Sequence, residues 1–388
     1  MLRFLKQLAW YPPAETKIPW RAILSAFTEP SGDFKDDLCC FLKVNHCILG
    51  ESARALLFKL LETLKIQHGN QRNEVLIPGY TCYSVAAAIA KAGLKITVYD
   101  LDPATLYPDV ASIKSVISEK TLAVITQHLF GMMSPLDAIK KITYRYNTYL
   151  IEDAAQALGN SPDEKESGTK GDFGLFSFGR GKPLPIGCGG ALVSQSHPHI
   201  LLRIKLDRPK RKYLQAMVSA ATQVVSNPTL YWIPEILPLG LGQTVFDLGF
   251  HVGAMPYVIN KISQSALPHL NRLNFHRTRL AGVYRRYLAN DYQIKNTEKA
   301  SSMVRFPVIL PDSKQLSKEL NCLGVRKMYP KAILDENLIK PYLKNEQKPT
   351  PGSAEISRKL LTLPTHLGIS ERMAKQICFK VNQFALGR

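Results

Sequence analysis

The sequence is poor in acidic residues and lacks the motifs of the common binding classes. Its 388 residues hold 31 acidic against 50 basic side chains, a formal net charge of +19 at pH 7. This excess favours an anionic partner such as a nucleotide diphosphate, a phosphoglycolipid, a membrane surface or nucleic acid. Zinc-finger spacing, RNA-binding motifs and a helix-turn-helix signature are missing, which argues against nucleic acid.

The cysteines are too scattered to indicate a metal site or a disulfide framework. Seven are present, an odd number without metal-ligand spacing, so we expect reduced thiols, a cytoplasmic protein and no bound metal. A secretory signal is not expected either, because no long apolar core or small-residue cleavage site precedes Pro12 and Pro13. We interpret residues 1–45 as a docked N-terminal arm.

No apolar run is long enough to cross a bilayer. From residue 213 to residue 246 the single charged residue is Glu235, but Pro228, Pro234 and Pro238 interrupt the run. A membrane-spanning helix needs about 20 uninterrupted apolar residues. We interpret the segment as a dimer-interface or inter-domain excursion. An alternative joins it to the basic run at residues 203–212 as a patch that contacts a membrane surface.

One glycine-rich stretch presents a lysine between two predicted strands. Residues 173–178 form an apolar run typical of a buried strand, Gly179-Arg180-Gly181 forms a turn before Lys182, and residues 191–194 predict a second strand. A lysine in a partly desolvated site can lose its proton near neutral pH, and the neutral amine can form a Schiff base with an aldehyde. The alternative is a surface lysine in a glycine-rich hairpin.

A pair of carboxylates precedes this lysine by about thirty residues, a spacing that βαβ units allow. Residues 147–153 predict an apolar strand that ends in Glu152 and Asp153. A carboxylate at the carboxyl end of a parallel strand faces the crevice in which α/β proteins bind ligands. Alternatively, both residues belong to a helix N-cap region, or one serves each purpose.

Together these motifs resemble the pyridoxal-phosphate-dependent sugar aminotransferases of the DegT/DnrJ/StrS family. The resemblance rests on Glu152-Asp153-Ala-Ala-Gln156, on Gly171-Asp172-Phe-Gly-Leu-Phe-Ser177-Phe178 followed by Lys182, and on Gly187-x-Gly189-Gly190. It implies that Lys182 is the Schiff-base and catalytic lysine. It also implies that Asp153 pairs with the pyridinium nitrogen, that Gln156 contacts the ring or its hydroxyl, and that Ser177 binds the phosphate.

The resemblance also implies a fold and a domain organisation. The expected fold class is α/β and aspartate-aminotransferase-like, known as pyridoxal phosphate fold type I, with a large, mostly parallel sheet domain and a small C-terminal α/β domain. We place the large domain at residues 46–254, with the apolar excursion at 213–250, and the small domain at residues 255–388.

A second phosphate contact is predicted where a helix begins after Gly50. Ser52 is placed to cap that helix, whose leucines recur at helical spacing from Leu56 to Leu64. A helix N-terminus is a natural cradle for phosphate, because its first amides are unpaired and its dipole is positive there. The family's corresponding segment binds the cofactor phosphate, which by resemblance points to Ser52, Ala53 and Arg54.

Other residues are expected only as neighbours of the substrate. His128 follows a predicted strand at residues 121–127, Arg180 precedes the lysine, and Tyr80 lies near the position of the family's ring-stacking aromatic residue. Cys82 occupies that position here, with Tyr83 beside it, and any of the three could be ordinary packing. The chain departs from the family at Gly179, often histidine, and at Cys188, often glutamate.

The function implied by the resemblance is transfer of an amino group, from glutamate, to a nucleotide-linked keto-sugar in cell-envelope or polysaccharide biosynthesis. The cofactor would be pyridoxal 5'-phosphate. The enzyme would be a homodimer whose site lies at the subunit boundary, cytoplasmic, with peripheral membrane contact left open. Related dehydratases replace the lysine by histidine, whereas this chain keeps it. The alternative is a non-catalytic relative that acts as a binding or regulatory protein at the membrane surface.

Overall fold

The structure is a computed structural model that describes residues 10–15, 17–27, 32–161, 165–209, 214–231, 244–297, 302–311 and 316–386. Its centre is a seven-stranded sheet in the order β1-β7-β6-β5-β4-β2-β3. The strands are β1 Cys47–Gly50, β2 Glu74–Pro78, β3 Lys95–Tyr99, β4 Thr121–Gln127, β5 Tyr149–Asp153, β6 Phe173–Ser177 and β7 Gly190–Val193.

Most of this sheet is parallel. The pairs β2–β3, β2–β4, β4–β5 and β5–β6 are parallel, and β7 is antiparallel to both of its neighbours. Strand β4 is buried along its whole length, as expected for a parallel strand covered by helices on both faces. The carboxyl ends of β2, β4, β5 and β6 therefore meet at one edge of the sheet.

Thirteen α-helices lie within the described residues. Several begin at a side chain that caps the helix; Ser52 Oγ accepts from Ala55 N at 3.1 Å, as the sequence predicts. The helices are α1 Trp20–Leu24, α2 Phe34–Leu42, α3 Ala53–His68, α4 Tyr83–Lys91, α5 Val110–Val116, α6 Asp137–Arg145, α7 Pro198–Arg203, α8 Leu214–Val225, α9 Tyr257–Ala266, α10 Leu270–Tyr287, α11 Lys318–Cys322, α12 Pro351–Lys359 and α13 Glu371–Ala385.

A second, antiparallel sheet of two strands forms in the C-terminal part of the chain. It pairs β8 Arg305–Ile309 with β9 Leu360–Pro364, and α10 packs against α13 beside it. The apolar core here is continuous with one face of the large sheet, since it joins Phe306 to Leu76 of β2. A small C-terminal α/β unit is thus present, while the boundary at residues 254 and 255 stays a prediction.

The predicted strands around the lysine are confirmed to within a residue or two at their ends. Parts of two other predictions lie outside the described residues, namely residues 1–9, 16 and 28–31 of the N-terminal arm and residues 213 and 232–243 of the apolar segment. The apolar segment at 213–250 contains α8. Within the described parts of the chain, no helix has both the length and the hydropathy required to span a membrane.

Candidate active site

A cavity of about 240 Å³ opens at the carboxyl edge of the large sheet. It is lined by residues that follow β1, β2, β4, β5 and β6, so elements far apart in sequence each supply side chains. Eight of the ten predicted site residues are among them. The polar or charged lining comprises Ser52, Arg54, Cys82, Ser84, Gln127, His128, Asp153, Gln156, Ser177, Lys182 and Tyr329, and Ala53 lies among them.

Lys182 lies on a hairpin whose backbone is hydrogen-bonded on two sides. Gly187 N donates to Phe178 O at 2.9 Å, and Phe178 N donates to Gly189 O at 3.0 Å. From α10, the guanidinium of Arg277 donates to Pro183 O at 2.9 Å and to Lys182 O at 3.5 Å. The hairpin is therefore fixed by backbone pairing on one side and by a cation on the other.

Arg277 is a positioning residue that begins an Arg-x-x-x-Ala-x-x-Tyr motif similar to one of the family, a resemblance that does not indicate its contact with Lys182. Its side chain is 2% exposed, and burial lowers its pKa to about 10. The guanidinium therefore stays charged at neutral pH, and carbonyl oxygens and Asn274 Oδ1 at 2.8 Å satisfy its donors. Its helix lies about 95 residues beyond the lysine, so no local motif could have linked the two.

The two carboxylates at the end of β5 have different surroundings because successive strand residues point to opposite faces. Glu152 is fully buried and accepts hydrogen bonds from His128 Nε2 at 2.8 Å, from Lys170 N at 2.6 Å and from Gly171 N. Burial alone would raise the pKa of Glu152, but these bonds outweigh burial and lower it. Glu152 therefore fixes the loop before β6.

Asp153 faces the cavity together with Lys182. Burial raises the pKa of Asp153, and the positive charge of Lys182 acts in the opposite direction. Its Oδ1 also accepts from Ala155 N at 3.1 Å, but residues 155–159 form a turn and not the helix that the N-cap alternative requires. One side chain thus caps the turn after β5 and presents a carboxylate to the cavity.

His128 lines the cavity, but both nitrogens of its ring are hydrogen-bonded to other residues of the chain. Its Nδ1 accepts from Ser134 N at 3.2 Å, so in the neutral ring Nε2 carries the proton that is donated to Glu152. This arrangement orients the imidazole ring as part of the cavity wall.

The N-terminus of α3 lies against the glycine cluster that follows Lys182. Ser52, Ala53 and Arg54 line the cavity, and so does Ser177 at the end of β6. A Cβ on Gly190 would lie 2.4 Å from Ala53 N, so only glycine allows β7 to approach the first turn of α3 this closely. Backbone amides and two hydroxyls are therefore gathered at one end of the cavity.

Gln156 and Tyr329 close another side of the cavity. Gln156 Oε1 accepts from Phe130 N at 2.7 Å, and its Nε2 donates to the Tyr329 hydroxyl at 3.2 Å. Burial raises the pKa of Tyr329, so the hydroxyl keeps a proton that the bond from Gln156 does not use. Tyr329 belongs to the C-terminal part of the chain and lies 173 residues beyond Gln156 in sequence.

Two of the expected substrate neighbours lie outside the cavity lining. Tyr80 is buried behind Tyr329, with ring centroids 5.1 Å apart and its hydroxyl accepting from Tyr329 N at 3.2 Å. Arg180 is exposed on the turn before Lys182. Of the three candidates for a ring-covering residue, Cys82 lines the cavity, whereas the Tyr83 hydroxyl bonds to the backbone of Lys331.

The donor set fits pyridoxal phosphate. The cofactor offers an aldehyde, a basic ring nitrogen and a phosphate, and the cavity offers an amine at Lys182, a carboxylate at Asp153 and a helix N-terminus at Ser52. A buried carboxylate whose pKa is raised is also an acceptor that a cationic ring nitrogen would satisfy.

Comparison with known proteins places the chain among aminotransferases. The model of the DegT/DnrJ/EryC1/StrS aminotransferase family matches residues 26–382. The chain is 24% identical to a GDP-perosamine synthase of Caulobacter vibrioides over 359 residues, which cover 90% of this chain and 89% of that enzyme. It is 36% identical to an L-glutamine:2-deoxy-scyllo-inosose aminotransferase of Micromonospora echinospora over 154 residues, which cover 40% of this chain and only 36% of that enzyme.

Solved structures share the fold. Helicobacter pylori PseC, an aminotransferase of pseudoaminic acid biosynthesis, has a TM-score of 0.76 at 18% identity, covering 98% of this chain and 100% of PseC. The Escherichia coli GDP-4-keto-6-deoxy-D-mannose-3-dehydratase with bound hydrated pyridoxal phosphate has a TM-score of 0.74 at 18% identity, covering 96% and 100%. These likenesses confirm the expected α/β fold.

Proposed function

Because the chain belongs to the DegT/DnrJ/EryC1/StrS aminotransferase family, we propose that it is a pyridoxal-phosphate-dependent sugar aminotransferase. It would move an amino group, from glutamate, onto a keto-sugar carried on a nucleotide, in polysaccharide or cell-envelope biosynthesis. The observation that carries the proposal is that Lys182 and Asp153 line one cavity with the N-terminus of α3.

Each residue of the site would have its own role in this reaction. When bound, pyridoxal phosphate supplies an electron sink. Asp153 would hold the proton on the ring nitrogen, and Ser177 with the first amides of α3 would hold the phosphate. Lys182 Nζ would accept the proton from the α-carbon of the amino donor. Arg277 keeps the lysine in place through the carbonyls of its hairpin.

A nucleotide-linked acceptor agrees with the charge of the chain and with the names of its relatives. A net charge of +19 attracts a diphosphate, and the Caulobacter relative is named for a GDP-linked sugar. The Micromonospora relative is named for an inosose acceptor and for glutamine as donor, so acceptor and donor assays should include both classes. Gly179 and Cys188 are the positions at which we expect acceptor contacts to differ from those of other family members.

The first test is a visible absorption spectrum of the purified protein with added pyridoxal phosphate, followed by addition of glutamate. We expect a protein-bound band that glutamate bleaches and that Lys182→Ala lacks. Lys95→Ala is the matched control, because Lys95 is exposed at the far edge of the sheet. If neither the wild type nor the control shows the band, the proposal that this protein binds pyridoxal phosphate is wrong. A non-catalytic binding role would then replace the proposed enzyme function.

We further propose a homodimeric protein in the cytoplasm. Cys39, Cys47 and Cys188 are among the cysteines that carry free thiols in the structure, which agrees with a reducing compartment. Light scattering after size exclusion would give twice the chain mass of 43.4 kDa for the dimer, and a monomer at working concentration would contradict it.

A further inference from the structure

The hydroxyl of Tyr329 accepts a hydrogen bond but has an unused proton. Gln156 Oε1 accepts from Phe130 N at 2.7 Å, which fixes the orientation of the amide. Gln156 Nε2 must then donate to the Tyr329 hydroxyl, at 3.2 Å, and cannot accept from it. Among the described residues, none supplies an acceptor for the phenolic proton. The proton therefore points away from Gln156.

This unused donor lies in the wall of the candidate active site. Tyr329 is 3% exposed, and it lines the same cavity as Gln156, Asp153 and Lys182. Its ring packs on Tyr80, with centroids 5.1 Å apart, and its backbone N donates to the Tyr80 hydroxyl at 3.2 Å. A buried donor without an acceptor is costly, so a ligand that brings an oxygen to this wall of the cavity gains affinity.

A cation lies close to the same hydroxyl. Arg305 Nη1, from β8, donates to Thr362 Oγ1 at 3.4 Å, and Thr362 pairs with Arg326, three residues before Tyr329. Burial lowers the pKa of Arg305 to about 10, so the guanidinium stays charged at neutral pH, and its charge acts on the hydroxyls of Tyr80 and Tyr329. A neighbouring cation makes a phenol a stronger donor and attracts an anionic acceptor.

The charges of the cavity also favour an anionic ligand. Arg54 and Lys182 are the cations of its described lining, and Asp153 is the acidic residue there. Asp153 is the partner expected for the ring nitrogen, so it would be neutralised by the cofactor. Arg305 adds a further positive charge behind Tyr329, and the described residues supply no carboxylate bonded to it.

We propose that the Tyr329 hydroxyl, supported by Arg305, donates a hydrogen bond to an anionic oxygen of the ligand that fills this cavity. The inference rests on the proposed function, which would bring two such oxygens to Lys182. One is the ring hydroxyl oxygen of pyridoxal phosphate, and the other is the carboxylate of the amino donor. Tyr329 would be a contact residue, and Arg305 a positioning residue that acts through it.

The test is Tyr329→Phe, which keeps the ring on Tyr80 and removes the hydroxyl. Tyr284→Phe is the matched control, because Tyr284 is fully buried and its hydroxyl donates to Pro364 O at 2.6 Å, outside the cavity lining. Two dissociation constants are measured: that of pyridoxal phosphate by visible absorption, and that of glutarate on the loaded protein by calorimetry. Glutarate has the two carboxylates of glutamate but no amino group, so it binds without reacting.

We expect Tyr329→Phe to raise at least one of these constants about tenfold, as the loss of a hydrogen bond to a charged group should. Tyr284→Phe should raise neither. A rise for pyridoxal phosphate with a shift of the absorption band identifies the ring oxygen as the acceptor, and a rise for glutarate alone identifies the carboxylate. Unchanged constants in Tyr329→Phe overturn the inference, and so do equal rises in both variants. A wild type that binds no pyridoxal phosphate refutes the proposed function and this inference with it.

Arg305→Gln and Arg305→Lys test the supporting charge. The glutamine variant should weaken binding of the same ligand that Tyr329→Phe weakens, and the lysine variant should keep most of the affinity because it keeps the charge. The double variant Tyr329→Phe with Arg305→Gln should lose less affinity than the two single losses combined, since the residues act together. Equal losses in the glutamine and lysine variants would overturn the role of the charge. Melting temperatures of all variants verify that they fold.

Discussion

At the scale of single residues, Asp153 occupies an electrostatically unfavourable position in the protein without ligand. Burial raises the pKa of its carboxyl above the ordinary value of 3.8, and Lys182 offsets this effect only in part. An acid whose pKa is raised on folding contributes stability below its unfolded pKa, and that contribution is lost as pH rises through the folded pKa. At neutral pH the ionised side chain therefore destabilises the protein, and a cationic ring nitrogen would relieve this cost.

The substitution Asp153→Asn should consequently stabilise the ligand-free protein at neutral pH while weakening cofactor function. Asparagine keeps the oxygen that accepts from Ala155 N and removes the charge. We expect a higher melting temperature than wild type at pH 7.5, and the difference should vanish as the pH approaches 3.8 and below, where the aspartate is protonated in both states. With pyridoxal phosphate added, the ligand-induced rise should be smaller in the variant.

The exposed Asp291→Asn is the control, because removing a solvated charge should not change the melting temperature at either pH. A variant at position 153 that melts below wild type at neutral pH would show that the carboxylate is already paired favourably in the ligand-free protein.

At the scale of elements, the contact between β7 and α3 decides the shape of the expected phosphate cradle. Gly190→Ala would place a Cβ 2.4 Å from Ala53 N and 2.8 Å from Ala53 Cα, and backbone atoms cannot move aside without shifting the helix. We expect the affinity for pyridoxal phosphate, measured by titration of the absorption band, to fall by about tenfold or more, since about 1.4 kcal/mol is enough for that change. The melting temperature should also fall.

Gly282→Ala is the matched control for this substitution. A Cβ at position 282 meets no heavy atom within 4 Å, and in the interior of α10 alanine should stabilise by up to about 1 kcal/mol. Unchanged cofactor affinity in Gly190→Ala would mean that the first turn of α3 does not hold the phosphate.

Local patterns predicted the elements, but long-range packing determined which other residues complete the site. The strand that ends in Asp153, the cap at Ser52 and the hairpin of Lys182 each follow from neighbouring residues. Arg277 and Tyr329 meet the site across about 95 and 173 residues of sequence, and periodicity carries no information over such separations. Helix α8 shows another limit of prediction from sequence. Its pattern separates a polar from an apolar face, but the pattern does not tell which of the two faces is buried.

At the scale of the whole molecule, the segment at residues 10–15 joins parts that lie far apart in sequence. Tyr11 N donates to Cys322 O at 2.8 Å, and Gly181 N, on the turn before Lys182, donates to Glu15 O at 2.9 Å. His366 Nε2 donates to Pro12 O at 2.8 Å, while its Nδ1 accepts from Gly368 N at 3.1 Å. The segment thus connects the C-terminal part of the chain to the hairpin that carries Lys182.

His366 should make this connection sensitive to acid. Burial lowers its pKa to about 4 from an ordinary value of 6.5, so the ring is neutral in the folded protein. A base whose pKa is depressed on folding contributes stability above its unfolded pKa, and that stability is lost as pH falls from 6.5 through about 4. Within this window each pH unit should cost about 1.4 kcal/mol from this residue alone.

The measurement is urea unfolding of wild type, His366→Gln and His251→Gln between pH 7.5 and pH 4.5. Glutamine can still donate to Pro12 O but does not titrate, so His366→Gln should lose less stability in acid than wild type. The exposed His251 provides the control, and its substitution should leave the slope unchanged. Titration of Asp153 changes the free energy of unfolding in the opposite direction over the same pH range, and it does so in both glutamine variants. The difference between the two variants therefore isolates the effect of His366. Equal slopes would mean that the N-terminal segment releases His366 to solvent before the ring is protonated.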